Sequence, residues 1–372
     1  MRGQLQEILL TLIQRVDIKN VDMYNKDSFF SKKLALLYAV LTFLIVLQHS
    51  APMGRFGLAE NGKYPFIHCL IVFSYISVPL FFFMSSLLFY RGCEYNDIKR
   101  KLLSRVYSLL IPYLLWNTIF VLIYFSITRI PIIEEHMRMG KVLDNPCAFF
   151  VAIIDSRFTP LWFVRDLMCF CLFSPLILFI IKKIWLAIII LALSIFATWH
   201  WEFSHQNVVT WIPIYLLGAI IGRYLTFKEN DKYGCTSRYL VKSRKQRILI
   251  SMVFGIGFIS IYLFSVKDST YLYFFRLLSP IFLWVILDFA LFDYIKKRFR
   301  RKLWMHYTFF IYCTHYFVLN VLQKIASLYV EPTTLALNMV FLLSPIITIV
   351  TLTYFANFLS KFSFYRYLSG KR

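Results

Sequence analysis

The feature that most constrains this chain is a recurrence. From position 34 to position 359, apolar blocks about twenty residues long alternate with polar segments rich in Lys and Arg. About 20 apolar residues in a helix cross the hydrocarbon layer of a membrane. Ten such blocks can be read, at 34–50, 66–90, 106–128, 160–181, 184–199, 210–226, 248–266, 271–292, 303–323 and 335–359. Segment 148–158 is too short and too charged to cross and reads as a re-entrant or interfacial piece. Composition agrees: 59% of the residues are hydrophobic and 16% charged, where a soluble domain carries roughly 45–50% and 25%. One globular core could not hold 39 Phe, 24 Tyr and 8 Trp. The expected fold class is therefore all-α, a polytopic membrane bundle of about ten helices. A cytosolic enzyme, a disordered chain and a secreted disulfide scaffold are excluded.

The net charge of +22 would suggest nucleic acid in a soluble protein. In a membrane protein it reflects the enrichment of Lys and Arg in cytoplasmic loops. With the N-terminus inside, ten crossings put 31 of the 41 Lys and Arg on the cytoplasmic side and eight outside, with Arg165 and Arg276 inside spans. Both termini are accordingly expected in the cytoplasm, and no nucleic-acid partner is expected. Residues 1–33 form a cytoplasmic segment whose run of Ile8, Leu9, Leu12, Ile13 and Val16 suits an interfacial helix. Residues 34–360 form the membrane domain and 361–372 a cytoplasmic tail. No cleavable signal peptide is expected, because the first apolar block follows a long polar stretch. The seven Cys lack metal or disulfide spacing, and no His-x-x-x-His pair marks a metal site.

Ionisable groups inside a membrane cost about 2.5–3.5 kcal/mol each on insertion scales, so each is a functional candidate. In the charge-derived frame, His49 lies about 22 Å from the inner start of span one and His315 about 18 Å into span nine. Arg165 and Asp166 lie about 8 Å below the outer surface, with Arg276 at a similar depth and His68 near the outer end of span two. These groups share one level in the outer half of the bilayer. Each also has a plainer reading as an interfacial, helix-bridging or snorkelling side chain, and Trp162, Trp201 and Trp211 suit the aromatic belt.

The order of landmarks resembles the acyltransferase-3 family of bacterial membrane O-acyltransferases. LIVLQHS (44–50) carries His49, and VPLFFFMSSLLFYRG (78–92) is similar to the family's second span. KRKLLSRVYSLLIPYLLW (99–116) resembles its basic entry into a Pro-Tyr span. PLWFVRDL (160–167), IPIYLLGAIIGRYL (212–225) and FFIYCTHYFVL (309–319) complete the series. The chain departs where the family carries an Arg eleven residues before the histidine and an Asp three before that; here stand Tyr38 and Ala35. The Gly usual after the span-two Ser is Ser86.

The resemblance implies acyl transfer, usually of acetyl, from cytoplasmic acyl-CoA to a hydroxyl of a cell-surface or lipid-linked glycan. No tightly bound cofactor is expected, and the location implied is the bacterial inner membrane. An imidazole suits general-base work near neutral pH, which makes His49 the catalytic candidate. Arg165, Arg276, Tyr312 and His315, with Trp162 beside them, are candidates for oxyanion or acceptor contacts. Arg105, with Lys101 and Arg100, is the candidate donor-phosphate site. The rival class is a transporter or flippase of a glycan or acyl intermediate, which would show paired halves with interrupted helices near the midplane. None can be read here, and a non-catalytic membrane subunit is the third reading.

Overall fold

The structure, a computed structural model, describes residues 29–58, 64–128, 146–155, 160–201, 203–225, 227–229, 232–234, 241 and 243–370. The amphipathic run of 8–16 and Cys235 lie outside the described residues.

Each of the ten expected blocks contains a helix. Helix α1 is Phe29–Gln48. The second block is broken into α2 (Pro65–Ser74) and α3 (Ser77–Tyr90). The third runs from α4 (Tyr95–Arg105) through a π turn, Val106–Leu110, into α5 (Ile111–Thr128). The expected re-entrant piece is α6 (Pro146–Ile154), which packs Ala152 against Val121 of α5. Block four is α7 (Trp162–Leu172) and α8 (Ser174–Lys182), bent by 62°. There follow α9 (Ile184–His200), α10 (Ile212–Tyr224), α11 (Arg244–Lys267), α12 (Leu272–Phe289), α13 (Thr308–Tyr329), α14 (Thr334–Leu359) and the short α15 (Tyr365–Ser369). A two-stranded hairpin, Phe227–Glu229 with Lys232–Gly234, is the β structure among the described residues.

Six units are long and apolar enough to cross a membrane, and the bent pair α7–α8 makes a seventh if it is one span. The difference from ten has a physical source. Helix α9 has 17 residues, and α10 reaches the same length only with the turn before it, Val208–Tyr224. Helix α13 is long but carries His315, Asn320, Gln323 and Lys324 among its apolar residues. Helix α11, with 6% of its apolar window buried, turns nearly its whole surface outward, as a lipid-facing helix would.

Helices α3 and α10 touch backbone to backbone. A Cβ on Gly218 would strike Ser86 Oγ and the Phe83 carbonyl, and one on Gly222 would strike the Leu87 backbone. Small residues are how membrane helices gain packing contact, since lipid tails offer no hydrophobic drive between them. A second tie is ionic. Lys33 of α1 donates to Asp288 of α12 at 2.7 Å and to the Trp284 carbonyl at 3.1 Å, with both charges fully buried.

The loops sort into two ends. At one, Glu94 binds Lys182 and Arg223, Arg301 reaches Ser31, and Lys32 donates to the Lys296 carbonyl. At the other, Arg55 donates to Asn320, His68 to the Val266 carbonyl and Arg165 to Asp155 and Gln206.

Gly218→Ala is expected to destabilise the protein by about 1–3 kcal/mol through overpacking, read as a lowered thermal midpoint in detergent. Gly255→Ala is the control, because a Cβ there meets nothing within 4 Å. Equal midpoints for the two variants would contradict the close α3–α10 contact.

Candidate functional site

His49 sits in the turn that ends α1, its N–H still bonded to the Ile45 carbonyl. Two neighbours hold that turn. Gln323 of α13 donates to the carbonyls of His49 and Ala51 at 3.3 and 3.4 Å. The Ser50 hydroxyl lies 3.1 Å from the Phe341 carbonyl of α14. The His49 ring centroid is 5.3 Å from that of His315 and 5.6 Å from that of Tyr316. His315 is fully buried, and its Nδ1–H donates to the Tyr312 carbonyl at 2.7 Å. A carbonyl only accepts, so neutral His315 carries its proton on Nδ1 and presents a lone pair at Nε2. That Nε2 is buried and has no hydrogen-bond partner. The structure thus brings two imidazoles together, one of them with a free basic nitrogen.

The other expected residues divide. Tyr312 donates its hydroxyl to the Pro160 carbonyl at 2.7 Å, so its proton is engaged at the head of α7. Arg165 is fully committed: Nη1 binds Asp155 at 2.5 Å, Nε binds Asp166 at 3.0 Å, and Nη2 donates to the Gln206 carbonyl at 2.8 Å. It ties α6, α7 and the segment before α10 together, and Asp166 keeps its second oxygen buried without a partner. Trp162 stacks on Trp211, which stacks on Phe82 of α3, and Trp162 meets the edge of His205 at 5.7 Å. His205 lies within electrostatic reach of His49, and Arg276 within reach of His205. Partial enclosure, and then the Arg276 cation, lower the pKa of His205 below the ordinary imidazole value. Arg276 itself lines a cavity of about 360 Å³ beside Trp211. Among the described residues, no three His, Cys, Asp or Glu side chains gather as metal ligands.

At the opposite end, Arg105 closes α4 immediately before the π turn, a feature frequent at functional sites. Its charge reaches the buried Tyr215 and Cys171. Lys101 is used differently, donating to the carbonyls of Phe89 and Arg91 at the end of α3. Arg100 pairs with Asp97 on its own helix at 2.7 Å. Of the three, Arg105 is the one whose charge reaches Tyr215 and Cys171.

The acyltransferase domain of the acyltransferase-3 family matches residues 33–356. The chain belongs to that family. No curated protein and no solved structure matches it. The matched region contains both histidines, the α3–α10 contact and Arg105, so this acyltransferase-3 chain carries both ends of the candidate site within one domain. The expected residues omitted Tyr316, Gln323 and His205. For the first two a signal was present. Tyr312, His315, Tyr316, Leu319 and Gln323 recur at helical spacing on one face of α13. His205 lies in a loop, where no periodicity marks it.

Glu94 braces the inner end. Lys182 at 2.6 Å and Arg223 at 3.3 Å hold its carboxyl below the ordinary value of 4.5. A depressed carboxyl contributes stability that is present above its unfolded pKa and lost as pH falls through the folded one. Glu94→Gln is therefore expected to lower the thermal midpoint at pH 7, with the gap to wild type closing below about pH 4.5. A gap that stays constant down to pH 3 would remove the charge from this brace.

Proposed function

We propose that this protein is a membrane O-acyltransferase that moves acetyl, or another acyl group, from cytoplasmic acyl-CoA to a hydroxyl of a cell-surface or lipid-linked glycan. The observation that carries the reading is the His49–His315 pair in a chain of the acyltransferase-3 family. The acceptor oxygen attacks the thioester carbon while an imidazole takes its proton. The C–O bond forms, the C–S bond breaks, and the proton passes to the leaving thiolate of CoA. His49 is the base in this scheme. His315, fixed through Nδ1, offers its Nε2 to the acceptor hydroxyl or to the His49 ring.

Arg105 would meet the donor's phosphates at the inner end, since guanidinium groups match phosphate geometry. The position eleven residues before His49 is Tyr38, whose ring packs 5.8 Å from Phe81. It supplies no cation, so the donor would depend on Arg105 and its neighbours. In the proposed topology the chain crosses the bacterial inner membrane ten times with both termini inside, so donor and acceptor approach from opposite faces. The same frame places α9, α10 and α13 among the crossings.

His49→Ala is expected to slow acyl transfer about 100- to 10,000-fold while the protein folds and inserts. The assay is release of free CoA thiol from acetyl-CoA by purified protein supplied with glycan-bearing membranes. Turnover within a few-fold of wild type would end the assignment of His49 as the base.

The orientation has its own test. Cys147, the second residue of α6, is exposed on the side proposed to face outward, and Cys235 belongs to the proposed inner 228–247 loop. An impermeant thiol reagent on intact cells with a permeabilised outer membrane is expected to label Cys147 and spare Cys235. The reverse pattern would put the histidine pair in the cytoplasmic half and rule out transfer across the membrane.

A further inference from the structure

Lys33, Arg165 and Arg276 lie within helices of the described bundle, and they are treated differently. Lys33 is matched by Asp288, and Arg165 by Asp155 and Asp166. Arg276 has neither an ion pair nor a hydrogen bond among the described residues; its guanidinium lies 5.1 Å over the Tyr75 ring. A cation withdrawn from bulk water without a matching charge is costly. The Tyr75 ring face offsets part of that cost, but no carboxylate or carbonyl among the described residues does.

What Arg276 does face is space. The cavity of about 360 Å³ lies between the end of α9, the 203–211 segment and the start of α12. Its volume falls in the range of small-molecule sites, roughly 300–1,000 Å³. Arg276 is the one charged residue in its described lining, and no carboxylate stands there to neutralise it. The walls carry Trp199 and Trp211, with Thr210 and Ser269 as hydroxyl groups. Indole faces suit the C–H face of a sugar ring, and hydroxyls exchange hydrogen bonds with its edge. The first residue of α12, Leu272, also lines the cavity, so the positive end of that helix dipole lies at the same place. Electrostatic reach runs from Arg276 to His205 and from His205 to His49.

We infer that this cavity binds the anionic group of an acidic sugar, a carboxylate or a phosphate held by the Arg276 guanidinium, with the ring against Trp199 and Trp211. The inference deepens the acyl-transfer reading by making the acceptor glycan acidic. It rests on that reading only for the ligand's being the acceptor, since the binding step needs no turnover.

The test titrates purified full-length protein in detergent with three probes, following tryptophan fluorescence. They are a galacturonic acid trisaccharide, its carboxyl-reduced neutral counterpart, and galactose 1-phosphate. Wild type is expected to bind one or both anionic sugars about 10- to 100-fold more tightly than the neutral one, the usual worth of charge-assisted hydrogen bonds. The carboxylate and phosphate arms identify which anion is preferred. Arg276→Gln should abolish the preference, and Arg276→Lys, which keeps the charge without the planar fork, should retain part of it. The readout is binding without turnover, so a failed acyl-transfer assay leaves this result standing. Equal binding of all three probes, binding of neither anionic sugar, or an Arg276→Gln variant that keeps the preference would each overturn the inference.

Discussion

The contact between α3 and α10 is the joint on which the rest of the structure depends. Gly218 and Gly222 let α10 lie against the Phe83–Leu87 stretch of α3 with no side chain between. At one end of that contact, Trp211 stacks on Phe82 and Trp162 on Trp211, which sets the wall beside His205. At the other end, Arg223 of α10 reaches Glu94 and the Cys93 carbonyl at the turn after α3. A shift of α10 outward by one methyl group would move both ends together, because packed interiors transmit displacement instead of absorbing it.

Charge inside the bundle follows a rule that separates structure from function. The Lys33–Asp288 pair is buried and hydrogen-bonded on both sides, the arrangement in which a low-dielectric interior tolerates ions. Arg165 spends its guanidinium on two carboxylates and a carbonyl. Arg276, the Nε2 of His315 and the second oxygen of Asp166 lack such partners among the described residues. Unsatisfied polarity of this kind is costly wherever it serves no ligand, so such groups, more than the fully paired ones, mark where chemistry is expected.

The joint also relates the two proposed substrates. Arg105 precedes the π turn at one end of the bundle, and His49 closes α1 near the other. An acyl donor held by its phosphates at Arg105 would extend its long arm past Tyr215 and Cys171, the buried groups that the Arg105 charge reaches. Departures from the family pattern at Tyr38 and Ser86 fall on α1 and α3. Ser86 Oγ is already engaged with the Phe83 carbonyl at 2.9 Å and packs against Gly218, so it replaces the usual Gly without opening the contact.

Much of the fold was legible because the membrane leaves a chain few choices: apolar blocks near twenty residues must close their hydrogen bonds internally, and that means helix. The family too was legible in linear motifs and their order. What the pattern could not decide was where helices break and where side chains point. The break before Ser77, the 62° bend between α7 and α8 and the π turn after Arg105 are backbone adjustments whose energies depend on neighbouring helices. Residue type made Arg165, Arg276 and Tyr312 equivalent candidates, and only tertiary structure separated them. It brought Asp155, Gln206 and Pro160 from distant parts of the chain to engage Arg165 and Tyr312. To Arg276 it brought the face of the Tyr75 ring but no hydrogen-bond acceptor among the described residues. Sequence determined which groups could carry charge or a proton, because that is set by covalent chemistry. Which of them remain available to a substrate depends on the partners that folding places within about 3 Å.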